Sequence, residues 1–313
     1  MNEGWFAIAL VLVGGSACSS SGGSDGTVSW GGLTGTIAFV ADSKTIGVLR
    51  SDERHSVLLG TFDGAALWPG SVALSPDGRR ISYAAYRHDY GGYQVFVMNV
   101  DGSGVRRISQ PGSTAPVWSP DGSELFYLAG GGGAGPVTSF RFDGDVTTTL
   151  PFASYQGCAP SPSGERFVVA AIGESGVATS GRSIRIVSRD GTELFSFPSG
   201  TETAAMSPAW SPDGNRVAFV SRHGPNDGAE PYYFDIGLID LARGNARSTV
   251  IHWPFDGYAT DPHAVFSPDG ERLLFDGWNP ETGGAIELFS IALDGSGLTR
   301  VTNAGGSGPS WAR

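Results

Sequence analysis

The side chains able to do chemistry are sparse, with five histidines and two cysteines in 313 residues. No CxxC, HExxH or EF-hand loop sets ligands at metal-binding spacing, so no metal or cofactor is expected. Two glycine-rich stretches match catalytic patterns in letters only. Gly22-Gly23-Ser24-Asp25-Gly26 fits G-x-S-x-G but lacks the strand, turn and helix that expose a nucleophile. Gly130-Gly131-Gly132-Gly133-Ala134-Gly135 fits G-x-G-x-x-G, yet Pro136-Val137 begins a strand, so no helix N-terminus faces a phosphate. Asp276 is the sharper feature, because the matching positions elsewhere are apolar: Val40, Ala84, Leu128, Ala170 and Val220. A carboxylate in such a place needs partners. His263, Arg222 and His223 are candidates, and Trp278 offers a stacking surface. Two readings stand: a structural polar network at one junction, or a ligand pocket. Arg87, His88, Asp89 and Tyr258 complete the set of candidate ligand- or partner-binding residues.

The elements that position these residues follow from an internal repeat. Ser75-Pro76-Asp77-Gly78 recurs identically at Ser119, Ser211 and Ser267, with Ser161-Pro162-Ser163-Gly164 as a variant, at spacings of 44, 42, 50 and 56 residues. That is the size of one four-stranded propeller blade. A short apolar segment precedes each copy, as in Pro116-Val117-Trp118, and a β-rich run follows, as in Arg216-Val217-Ala218-Phe219-Val220. A third run ends in a second turn at Asp101-Gly102, Asp143-Gly144, Asp190-Gly191 and Asp294-Gly295, and a fourth completes the unit. In the tetrapeptide, Pro presets φ for a type I turn, Asp suits the next position, and Gly takes the left-handed one. The serine is thus part of a turn and not a nucleophile.

Second strands begin at Thr36, Arg80, Glu124, Arg166, Arg216 and Arg272, which counts six blades. The first blade lacks its own first strand. Gly308-Pro309-Ser310-Trp311-Ala312 reproduces the Pro-Val-Trp-Ser pattern and should supply it, closing the ring and hiding both sheet edges. The fold class is therefore all-β, a closed six-bladed propeller of antiparallel blades. Its turns between strands one and two, and three and four, share one face. Connections between strands two and three, and between blades, share the other, where irregular segments such as Tyr86–Tyr93, Arg222–Gly228, Phe255–His263 and Asp276–Pro280 gather. Tyr90, Tyr93, Tyr232 and Tyr233 on that loop face suit an interface.

The segments around Pro116–Gly122 and Pro208–Gly214 resemble WD40-like (PD40) repeats, which build the six-bladed propeller of TolB-like proteins. The likeness spans residues 35–313. TolB itself carries an α/β domain ahead of its propeller, and residues 1–34 are too few to hold one, so the resemblance implies the propeller alone. Residues 1–17 read as an export signal, because the apolar run Trp5–Val13 is short of the roughly 20 residues of a spanning helix. Small residues up to Ala17 followed by Cys18 resemble a bacterial lipoprotein signal, which implies lipid attachment at Cys18 and a Ser/Gly tether over 18–34. An ordinary secretory signal cut after Ala17 is the alternative. Cys158 then has no disulfide partner and is expected to be a small buried hydrophobe.

A net charge of −11 with no basic run excludes nucleic acid as the main partner. The expected function is a non-enzymatic cell-envelope protein, lipid-anchored or secreted, that presents its loop face to a protein, peptide or glycan. The alternative is a metal-assisted carbohydrate lyase or hydrolase using His263, His223 and Asp276.

Overall fold

The computed structural model describes residues 33–51, 56–60, 65–131, 134–155, 157–171, 183–197, 203–223, 232–255, 262–279, 285–303 and 305–313. The expected signal, Cys18, the expected tether up to residue 32, and Tyr258 lie outside these residues, whereas Leu33 at the end of the expected tether is buried at the junction of blades six and one. The described chain forms six four-stranded antiparallel sheets. Blade one comprises β1 (Thr36–Asp42), β2 (Thr45–Arg50) and β3 (Val57–Gly60), and blade two β4 (Ala66–Leu74), β5 (Arg80–Arg87), β6 (Gly92–Asn99) and β7 (Arg106–Arg107). Blade three holds β8 (Ser113–Trp118), β9 (Glu124–Ala129), β10 (Ala134–Arg141) and β11 (Val146–Tyr155). Blade four holds β12 (Cys158–Pro160), β13 (Arg166–Ala171), β14 (Ser183–Ser188) and β15 (Glu193–Phe197). Blade five runs through β16 (Thr203–Trp210), β17 (Arg216–His223), β18 (Tyr232–Asp240) and β19 (Ala246–Phe255). Blade six has β20 (Ala264–Phe266), β21 (Arg272–Asn279), β22 (Ala285–Ala292) and β23 (Thr299–Arg300). The last strand, β24 (Ser307–Ala312), pairs with β1 through Thr36↔Ala312, Ile37↔Trp311 and Ala38↔Ser310, so the ring closes as the repeat count requires.

Each second strand is packed on both faces, which is why its sequence is an apolar run and not an alternation. Ile37, Ala38, Phe39 and Val40 in β1 are all buried. Odd and even residues feed different junctions. In blade five Val217 and Phe219 pack toward blade four, whereas Ala218 and Val220 pack toward blade six. The hydrophobic interior is thus divided among the six blade junctions. Cys158 is buried at the junction of blades three and four, and burial pushes its thiol up to about 12, so it behaves as a hydrophobe.

Tryptophans on two of the first strands reach across a junction to a backbone carbonyl of the preceding blade. The Trp118 indole N–H donates to the Ala73 carbonyl of the preceding blade at 3.1 Å, and Trp210 donates to Ala159 at the same distance.

The tetrapeptide turns are locked by both polar side chains. In four copies the serine hydroxyl donates to the aspartate two residues on at 2.5–2.6 Å, and that carboxylate accepts the backbone N–H two residues further at 3.0–3.1 Å. The same serine oxygen accepts the N–H of the residue that opens the second strand, at 2.8–3.2 Å across all five copies.

Seven turn aspartates, Asp77, Asp101, Asp121, Asp190, Asp213, Asp269 and Asp294, have carboxyls held below the ordinary 3.8, in each case first of all by a serine hydroxyl. Asp121 is held lowest, at about 2. A folded value below the unfolded one gives a contribution complete above the unfolded pKa and lost as pH falls through the folded one. The expected result is a melting temperature that drops between pH 3.8 and about 2, with net proton uptake on unfolding. Calorimetry across that window checks it; a flat profile would show that the turns contribute nothing.

Candidate functional site

On the loop face the second strands of blades two, five and six are longer than those of blades three and four. β5, β17 and β21 each have eight residues, against six in β9 and β13. The extra residues include candidates read from sequence as loop positions. Arg87 pairs with Gly92, His223 with Tyr233, and Asn279 with Ala285, so the ladders run on through Arg87, Arg222, His223, Asp276 and Trp278. Strand frames therefore carry these side chains.

In blade two the extension ends in a one-turn 3-10 helix over His88–Tyr90, closed by Gly91 in the left-handed region at φ 72°. Arg87 donates to both oxygens of Asp89, at 2.9 and 2.7 Å, and this pairing holds the Asp89 carboxyl below its usual range. Tyr86 meets His88 and Tyr93 edge-on at 5.1 and 5.3 Å, and Tyr93 meets Trp68 at 4.9 Å. Such contacts stiffen an aromatic cluster.

Blade five carries a second cluster. Asp235 on β18 lies directly across from His252 on β19 and two pairs from the Tyr233↔His223 pair, on the same side of the sheet. The His252 Nδ1 hydrogen-bonds Asp235 Oδ1 at 2.7 Å, and His223 Nε2 sits 3.1 Å from Oδ2 at an angle unfavourable for a hydrogen bond. The Tyr233 ring stacks on His223 at 4.6 Å with an interplanar angle of 2° and leans on His252 at 4.5 Å. At 37% exposure Tyr233 presents a flat surface backed by two imidazoles and a carboxylate. Alternation along β17 points His223 toward blade four and Arg222 toward blade six.

The third group corrects an expected constellation. Asp276 is 2% exposed, and its oxygens accept two backbone N–H groups, from His263 at 2.5 Å and Gly308 at 3.1 Å. The His263 Nδ1 stands 3.9 Å from Asp276 Oδ2. Gly308 is in the left-handed region at φ 56°, at the bulge of β24 where the pairing with β1 shifts register. Neither His223 nor Arg222 provides these contacts: His223 has its carboxylate partner in Asp235, on the other side of its sheet. Trp278 is partly buried against the core between blades five and six, and its carbonyl accepts the Trp253 indole N–H at 3.3 Å. Of the two readings of Asp276, the geometry fits the structural one, a clamp between blade six and the closing strand.

Among solved structures, TolB from Acinetobacter baumannii matches with a TM-score of 0.67 at 20% identity, over 89% of this chain and 66% of that one. A structure assigned as TolB from Agrobacterium tumefaciens matches with a TM-score of 0.55 at 20% identity, over 76% of this chain and 87% of that one. The fold is that of TolB-like six-bladed propellers. An oligogalacturonate lyase in complex with manganese shares the TolB-like ring at a TM-score of 0.52 and 13% identity, over 86% of each chain. No family model matches the chain. Among curated proteins, an uncharacterized protein of Agrobacterium fabrum is 27% identical over 157 residues, and dipeptidyl-peptidase 5 of Porphyromonas gingivalis is 24% identical over 263. The chain spans 52% of the first and 36% of the second.

On the tetrapeptide face of this TolB-like propeller, the axis opens into a cavity of about 570 Å³ lined by the first strands of all six blades. Its rim is Pro76, Pro120, Pro162, Pro212 and Pro268, with Arg313 at the sixth position. Asp235 and His252 are the site-forming residues that motif reasoning misses. Their signal is positional: Asp235 occupies the third-strand place held by Gln94 in blade two and Glu287 in blade six, each next to the residue paired with Val220, Ala84 or Asp276.

Proposed function

We propose that the chain is an exported binding protein of the cell envelope, tethered through Cys18, that holds a protein, peptide or glycan partner on the loop face of its propeller. The observation behind this reading is the pair of aromatic clusters on strand extensions of that face, Trp68, Tyr86, His88 and Tyr93 in blade two and His223, Tyr233 and His252 in blade five. Aromatic rings already fixed by neighbours lose little entropy on binding and make effective anchors. The lyase alternative drew on His263, His223 and Asp276, and both Asp276 oxygens already accept backbone N–H groups.

Affinity capture from solubilised native envelopes tests the proposal. Wild type is expected to fractionate with the membrane and retain a partner, whereas Cys18→Ala leaves the chain in the soluble fraction. Tyr93→Ala combined with Tyr233→Ala is expected to lower capture about tenfold or more. Arg243→Ala, at a residue 84% exposed on the opposite face, should leave capture unchanged. Equal capture by the tyrosine variant would overturn the assignment to the loop face.

A further inference from the structure

Most tryptophan indoles in this fold tie backbone to backbone. Those of Trp118, Trp210, Trp253 and Trp311 each donate to a backbone carbonyl of the protein, at 2.8–3.3 Å. Among the described residues Trp68 and Trp278 make no such bond, and of the two only Trp68 stands in a row of rings. The row runs Trp68, Tyr93, Tyr86, His88 along the loop-face end of blade two. Successive centroids are 4.9, 5.3 and 5.1 Å apart, and successive planes cross at 88°, 71° and 83°. Rings crossed in this way leave notches between them instead of one flat platform. Trp68, Tyr86 and Tyr93 are partly exposed and His88 is exposed. The Tyr86 and Tyr93 hydroxyls, like the Trp68 N–H, have no hydrogen-bond partner among the described residues. Burial and the neighbouring Tyr86 phenol raise the Tyr93 hydroxyl above its ordinary 10, so it keeps its proton and remains a donor.

Acceptors beside the row are already engaged. Both oxygens of Asp89 accept from Arg87. The Tyr93 carbonyl accepts the Gly112 N–H at 2.8 Å, and the Gly112 carbonyl accepts two, from Gly130 at 3.0 Å and Gly131 at 2.7 Å. These glycines put no side chain over the blade-three side of the row, and a Cβ added at Gly131 would meet nothing within 4 Å. Sugar hydroxyls both donate and accept, so a glycan would call for carboxylates or carbonyls that this row does not offer. A proline-rich segment in the polyproline II conformation has the complementary chemistry. It presents carbonyls with few N–H groups, lodges its rings between aromatic side chains, and repeats about every 9 Å. Two steps along the row of rings span a distance of the same order.

We propose that the ring row of blade two binds a proline-rich peptide segment in the polyproline II conformation, with the Trp68 N–H and the Tyr86 and Tyr93 hydroxyls donating to its carbonyls. The proposal rests on the loop-face reading above and narrows the partner at this blade to one class. Because the rings are held by one another and the peptide helix is preformed, little order is created on binding.

Proton–nitrogen correlation spectra of the purified chain titrated with N-acetyl-octaproline amide test the proposal, the Trp68 indole signal being assigned by its loss in Trp68→Phe. Octaproline is expected to shift that signal saturably, whereas an octapeptide of alternating glycine and serine, which lacks the preformed helix, is not. Trp68→Phe and the double variant Tyr86→Phe with Tyr93→Phe keep the rings and remove donors. Followed through the Gly112 and Gly131 amide signals, each should bind octaproline roughly three- to tenfold more weakly. Tyr233→Ala, in the blade-five cluster, should bind it as wild type does, and thermal midpoints establish that every variant is folded. No shift with octaproline, an equal response to the glycine–serine peptide, or wild-type affinity in the phenylalanine variants would overturn the proposal. A shift with chitohexaose in place of octaproline would give the row to a glycan. Octaproline failing on a chain whose envelope capture is still lost in the tyrosine variant overturns this proposal and leaves the loop-face reading standing. Octaproline bound, with capture untouched by that variant, does the reverse.

Discussion

Replacing Asp276 with alanine is expected to destabilise the propeller by roughly 2–6 kcal/mol, because two buried N–H groups lose their acceptor at once and each orphaned donor costs about 1–3 kcal/mol. Those donors, on His263 and Gly308, belong to blade six and to the strand that closes the ring. Asp276→Asn retains one acceptor oxygen but turns an amide NH2 toward one of the donors, so its loss should be intermediate. Urea unfolding measures both. Had Asp276 been a ligand group at the channel mouth, alanine would spare stability and remove binding alone. A wild-type unfolding midpoint for the alanine variant would therefore return Asp276 to the ligand reading.

Deleting residues 307–313 should have a still larger effect. Beyond its ladder with β1, the closing strand sends the Ser310 hydroxyl oxygen to the Leu74 N–H of blade two at 2.9 Å, and the Trp311 indole to the Thr34 carbonyl at 2.8 Å. Without it β1 becomes an edge whose Ile37, Ala38, Phe39 and Val40 are apolar, a template for pairing with another chain. The expected result is loss of the cooperative melting transition together with dimers or aggregates in light scattering. A circular permutant that carries residues 305–313 ahead of residue 33 should restore a cooperative monomer, because the ring needs the strand and not its place in the chain order. A truncated chain that melts as a wild-type monomer would show that closure is dispensable.

The blade count was legible because turn chemistry is local. Ser-Pro-Asp-Gly can do little other than reverse the chain, and its recurrence, with the variant at Ser161, sets strand starts that match Arg80, Glu124, Arg166, Arg216 and Arg272. Partnerships across a junction were not legible. Asp276 stood out as a carboxylate among apolar equivalents, yet its partners are backbone groups of neighbouring strands, which no side-chain pattern announces. His223 was visible as a candidate but its partner Asp235 was not, since their meeting depends on the register of β17 against β18. Glu124 stands in a column otherwise rich in arginine, and only the Arg80 stack on Trp118 reveals what that arginine does.

The division of the interior among six junctions bears on how such a ring changes over time. A substitution at one junction alters the packing of two blades and leaves the other four as they were. New surface chemistry can therefore be acquired one compartment at a time, without renegotiating a common core. The Asp276 carboxylate, which takes the His263 and Gly308 N–H groups where the other second strands are apolar, has the form of such a local departure, confined to the junction of blade six and the closing strand.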